Sequence, residues 1–156
     1  MDVRTPRAAL LLALCTAGSL TACAGEPATP QDVRVQAGGQ DVAASPTQYC
    51  LDGEGQRYST RPPVVEVSPD TTIALTVPEP IAERGWQVQV FDETLEELIG
   101  EVDVPAGTET FEGISSSDVV PPAFYLVVVE DAGGDCGEFT AAWPVGFLRA
   151  GGDLGS

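Results

Sequence analysis

The 156-residue chain carries seven Lys plus Arg against 24 Asp plus Glu, has no His, and has a formal charge of −17 at pH 7. All seven cations are Arg, and such a balance excludes a nucleic-acid partner, because affinity for phosphates comes from clustered Lys and Arg. Without His the commonest general base and the commonest transition-metal ligand are both missing, which excludes Ser or Cys nucleophilic catalysis in its usual forms.

Residues 1–7 hold Arg4 and Arg7 against Asp2, a weakly positive leader. Residues 8–20 follow as a Leu- and Ala-rich run, within the roughly 7 to 15 residues of a signal-peptide core and short of the roughly 20 needed to span a bilayer. The run ends in Leu20-Thr21-Ala22-Cys23, the order of a lipobox: an aliphatic residue, two small residues, and a cysteine whose sulfur takes a diacylglyceryl group. The expectation is a lipoprotein signal peptide over 1–22, cleavage before Cys23, and anchoring by lipid on Cys23 to the outer face of the cytoplasmic membrane. One acyl chain binds a bilayer marginally, whereas two hold stably. Residues 23–31 contain Gly25, Pro27 and Pro30 and no apolar periodicity, so they read as the lipidated cysteine and a tether.

Removal of the leader leaves five Arg against 23 acids, a formal charge of −18. A domain of that sign is repelled by anionic headgroups and should stand off the bilayer on its tether. Its expected extent is 32–149, with a tail over 150–156, one domain able to bury about two-thirds of its unfolded surface. Cys15 leaves with the leader and Cys23 takes lipid, so Cys50 and Cys136 remain. In an oxidising compartment such a pair usually forms a disulfide; two separately buried thiols are the alternative.

Short strands punctuated by Pro and Gly follow. Val33 and Val35 alternate with polar neighbours, as do Ile73, Leu75 and Val77, and Trp86, Val88 and Val90; period two means one buried and one wet face. Further strands are predicted over 47–51, 64–67, 108–112, 124–130 and 138–147, with a hairpin loop at Asp131-Ala132-Gly133-Gly134-Asp135. Residues 94–99 fit a helical turn or a short edge strand equally well. The predicted fold class is all-β, an antiparallel immunoglobulin-like β-sandwich of about eight short strands. Trp86 lies 36 residues after Cys50, too far for an antibody-type domain.

Val67-Ser68-Pro69-Asp70 and Val77-Pro78-Glu79-Pro80-Ile81-Ala82-Glu83-Arg84-Gly85-Trp86 resemble the middle of a family of actinobacterial envelope proteins, many of them lipoproteins, known only as domain of unknown function 2771. Gln48-Tyr49-Cys50 is similar to its tyrosine-cysteine signature, and the apolar strand at 124–129, the Asp-Gly hairpin and Trp143-Pro144-Val145 resemble its C-terminal half. The resemblance runs over about 33–149 and implies an envelope location and a shared fold. The second cysteine departs from the pattern of some relatives, so the resemblance implies no pairing, and the family supplies no catalytic residue.

Ser115-Ser116-Ser117 has no His or Lys to activate a hydroxyl and reads as a polar loop. The acids Asp92, Glu93, Glu96, Glu97, Glu101 and Asp103 read as a solvated face, with calcium or a basic partner as the sharper alternatives; Asp131, Asp135 and Glu138 lack EF-hand spacing. Trp86 and Trp143 read as core. Residues 124–129 break the alternation and are apolar on both faces. If Phe124, Leu126 and Val128 face the core, then Tyr125, Val127 and Val129 need a cover, either the chain's own Pro-rich loops or a partner. The functional expectation is a non-catalytic binding or assembly module of the cell envelope, not an enzyme, with no cofactor, no metal and an envelope protein as partner. The alternative is a small-molecule or ion-binding lipoprotein accessory to a transporter.

Overall fold

A computed structural model describes residues 30–130 and 136–155. It contains eleven strands and one short helix, in the order β1 (Val33–Ala37), β2 (Gln40–Ala44), β3 (Gln48–Leu51), β4 (Glu54–Arg57), β5 (Val64–Glu66), β6 (Thr72–Thr76), α1 (Glu79–Arg84), β7 (Trp86–Phe91), β8 (Leu98–Val104), β9 (Thr110–Ser115), β10 (Ala123–Glu130) and β11 (Ala142–Leu148). The all-β sandwich expected from the alternation is present, with eleven strands where the pattern predicted about eight. Among the described residues no helix is long and apolar enough to cross a membrane.

Two hairpins follow from turn chemistry. Gly38 and Gly39, with φ of 57° and 79°, join β1 to β2, and Asp52 and Gly53, with φ of 50° and 78°, join β3 to β4. Two-residue loops with both φ values positive match the right-handed twist of the flanking strands. This chemistry makes β4 a strand although Glu54-Gly55-Gln56-Arg57 has no apolar residue.

A four-stranded sheet runs β2-β1-β6-β9; a seven-stranded one runs β4-β3-β11-β10-β7-β8, with β5 also on β11. All pairings are antiparallel except β5 with β11. The core lies between the sheets. Val33, Val35, Ile73 and Leu75 face Trp86, Val88, Phe124, Leu126, Val128 and Trp143, all fully buried or within 1% of it. Each indole nitrogen, shut away from water, finds a carbonyl: Trp86 Nε1 donates to Thr108 O at 2.8 Å and Trp143 Nε1 to Gln31 O at 2.8 Å, as buried indoles require. Ile81 and Ala82, the buried residues of α1, join the same core cluster.

Cys50 and Cys136 are joined, with Cα atoms 6.0 Å apart, inside the range a disulfide tolerates. The bridge matters because β3 otherwise meets β11 at a single register pair, Gln48 with Ala142. Ser116 is fully buried with its hydroxyl fully used, accepting from Thr71 N at 3.0 Å and donating to Ser68 O at 2.7 Å. It fastens the loop after β9 to the loop before β6. The expected signal peptide over 1–22, Cys23 and the expected hairpin loop at 131–135 lie outside the described residues.

Candidate binding groove

Register places the outward side chains of the seven-stranded sheet in rows that cross its strands. Val127 of β10 stands opposite Pro144 of β11 and Gln89 of β7, and Gln89 stands opposite Glu101 of β8. One step along, Val129 is flanked by Ala142 and Gln87, and Gln87 by Asp103. In the third row Tyr125 lies between Gly146 and Phe91. Phe124, Leu126 and Val128 point the other way and are fully buried, so the two-faced strand seen in the sequence divides as its alternation requires.

Tyr125, Val127 and Val129 therefore share one face, but they do not share one environment. Val127 and Val129 form the floor of a groove with Ala142 and Pro144; Pro62 rises on one side and Leu95 on the other, enclosing about 540 Å³. The two valines are only 7% and 8% exposed, screened by these walls and by the Gln48 and Gln89 amides, while the groove stays open above. Tyr125 lies outside it. Around Gly146 the Leu154, Tyr125 and Val64 side chains converge so closely that a Cβ there would meet Leu154 Cδ1 at 2.5 Å and Tyr125 Cε1 at 3.2 Å. The expectation that Pro-rich loops cover this face is met in part: Pro62 walls the groove, while Leu154, from the tail, covers the neighbourhood of Tyr125.

The Leu95 wall is fixed by the acid before it. Asp92 Oδ1 accepts from the backbone of Glu96 at 2.9 Å and Glu97 at 3.1 Å, and Oδ2 accepts from the Thr94 hydroxyl at 2.6 Å. This turn puts Leu95 in the left-handed region, φ 60°, where a leucine is strained, and leaves it 38% exposed at the rim. The Thr94 hydroxyl, with the Glu97 and Glu96 amides behind it, holds the Asp92 carboxyl below its usual 3.8. An Asp followed two residues later by Thr is a turn signal legible in sequence, and it would have placed this loop. Beyond the turn, residues 98–104 form β8, so the acids Glu101 and Asp103 sit on a strand whose inward positions are Val102 and Val104. Exposed Leu98 and Ile99 open that strand.

The opposite wall depends on β3. Gln48 Nε2 donates to Thr140 O at 2.7 Å and Thr47 N to Ala142 O at 2.9 Å, and Arg57 stacks over Phe139 with its carbon 5.5 Å from the ring centre. Beneath, Tyr49 packs edge-on to Trp143 with centroids 5.9 Å apart. Burial pushes the Tyr49 hydroxyl above its usual 10.0, and the nearby Glu130 carboxylate, itself paired with Arg84, adds to the shift. One strand beyond the residues that line the groove, Glu101 Oε2 accepts from Gln89 Nε2 at 3.3 Å. Among the described residues no three His, Cys, Asp or Glu side chains converge as metal ligands do.

The family model described as protein of unknown function (DUF2771) matches residues 26–143. No curated protein and no solved structure matches the chain.

Proposed function

The chain belongs to the DUF2771 family of proteins of unknown function, and from that premise we propose that it is an actinobacterial envelope lipoprotein whose sandwich is a non-catalytic binding or assembly module. The observation that carries this reading is the apolar groove over Val127 and Val129, walled but left open on the outer face of the sheet. Burying one Val or Leu side chain is worth about 1.5 to 3 kcal/mol, so an open apolar floor is a place where a partner gains more than water does.

The order of residues adds a location. Gln31, the last residue of the tether, is bonded to Trp143, whose neighbours Ala142 and Pro144 belong to the groove floor. Eight residue steps from Cys23 to Gln31 reach at most about 28 Å. Lipid on Cys23 would therefore hold the sandwich on its tether within about that distance of the bilayer, standing off the headgroups and within reach of another envelope protein. A small-molecule carrier serving a transporter is the second reading, favoured by a volume within the roughly 300 to 1,000 Å³ of ligand sites; against it, the groove is open and offers few converging polar groups.

Cell fractionation and fatty-acid labelling test the anchor. Wild-type protein should label and sediment with membranes, and Cys23→Ser should do neither; an unlabelled wild type would refute the anchor. For the module, Val127→Thr keeps the shape of the floor and makes it polar. It should stay folded, with the melting temperature lowered by no more than about 10 °C for a hydroxyl at a nearly buried site, and lose co-purifying protein after mild crosslinking; unchanged co-purification refutes the groove as the working surface.

A further inference from the structure

We infer that the groove takes an extended segment of a partner protein carrying an apolar residue followed by Lys or Arg, laid across the strands rather than along them. This rests on the binding-module reading and adds the chemistry of the occupant. The rows of the outer face carry it. From β11 to β8 each of two adjacent rows changes in the same order: Pro144 and Val127, then the Gln89 amide, then the Glu101 carboxylate; and Ala142 and Val129, then Gln87, then Asp103. Neighbouring strands lie about 4.8 Å apart, so the apolar floor at β10 and the carboxylates at β8 are separated by two strand spacings, roughly 10 Å. Residues two apart in an extended peptide are about 6.6 Å apart. A leucine-sized side chain on Val127 and Val129 therefore places a cation two residues on within reach of Glu101 and Asp103, since the four-carbon stem of Lys spans the remainder. The Leu95 wall strengthens the polarity, because Glu93, Glu96 and Glu97 are exposed on the same turn.

Charge also decides among occupants. A second copy of this chain would bring another strongly negative domain against the first, with its full-length formal charge of −17, and anionic lipid would be repelled in the same way. A basic, apolar segment meets both halves of the surface. Glu101 Oε2 already accepts from Gln89 Nε2 at 3.3 Å, so this exposed carboxylate stands beside the amide that lines the groove.

The experiment is fluorescence anisotropy on the purified full-length exported protein with three labelled octapeptides that keep the two-residue spacing on one face: two repeats of Leu-Ser-Lys-Ser (Leu-Lys), of Ser-Ser-Lys-Ser (Ser-Lys) and of Leu-Ser-Glu-Ser (Leu-Glu). The Leu-Lys peptide should bind, Ser-Lys at least tenfold more weakly because the floor goes unfilled, and Leu-Glu not measurably. Glu101→Gln with Asp103→Asn should weaken Leu-Lys binding about 3- to 20-fold at low salt and much less at high salt; both residues are exposed, so the fold should be unaffected. Equal binding of Ser-Lys and Leu-Lys, an unchanged affinity in the double variant, or binding of zwitterionic vesicles in place of the peptides overturns the inference. If Val127→Thr still abolishes co-purification while the double variant does not, the binding module stands and only the assigned occupant falls.

Discussion

Removing the disulfide should loosen one edge of the sandwich and leave its centre intact. Cys50 and Cys136 close a loop of 86 residues, for which the loss of loop entropy in the unfolded chain amounts to about 4 to 5 kcal/mol. In the folded chain β3 is otherwise held to β11 by one register pair and a few hydrogen bonds, among them Thr47 N to Ala142 O and Gln48 Nε2 to Thr140 O. β7, β10 and β11 pair over six and seven positions and do not depend on the bridge. The variant Cys50→Ser with Cys136→Ser should lower the melting temperature by roughly 10 to 20 °C. In native-state hydrogen exchange the amides of β3 and β4 should lose protection first, with β7, β10 and β11 following only at global unfolding. A fall of less than about 3 °C, or an equal loss of protection across the sheet, would refute the view that the bridge is what holds this edge.

Ser116→Ala leaves the Thr71 amide and the Ser68 carbonyl without a buried partner, and chemical denaturation should show a loss of about 1 to 3 kcal/mol. Gly152→Ala and Gly146→Ala should differ although both are crowded. At Gly152 a Cβ meets the Pro122 carbonyl oxygen at 2.6 Å, and backbone cannot easily yield, so about 1 to 3 kcal/mol is expected; at Gly146 the obstacle is the tip of Leu154, so stability should change by less than about 1 kcal/mol while limited proteolysis of the tail accelerates. Tyr49 has its folded pKa raised above the usual 10.0. Its contribution is therefore complete below about pH 10 and is lost as pH rises toward the folded value, so Tyr49→Phe should flatten the alkaline limb of the melting profile, and an unaltered limb would contradict this.

The parts of the fold that were legible in the sequence are those where burial alternates strictly. Val33 and Val35, Val88 and Val90, and the two-faced run at 124–129 each appear in a strand with the inward set as expected. β4 and β2 were not legible from apolar pattern, because they are edges made by pairing across tight turns; the Gly38-Gly39 and Asp52-Gly53 pairs were the available signal. β8 was hidden by its own chemistry. Glu101 and Asp103 face water from an edge strand, and their charge masked the alternating Val102 and Val104. The groove was half legible for the same physical reason. Its floor is written in the period-two pattern of one strand, whereas its walls, Pro62 and Leu95, come from loops brought there by pairings 60 or more and 30 or more residues distant, which no local pattern carries.

Photocrosslinking in intact cells tests the central claim most directly. A photoreactive residue replacing Leu95, exposed on the groove rim, should give one discrete adduct that disappears when Glu101→Lys is added; the same residue replacing Val120, 90% exposed but not among the groove-lining residues, should not give it. Identical adducts from both positions, or an adduct from position 95 that is indifferent to the charge at 101, would contradict the groove as the surface by which this protein works.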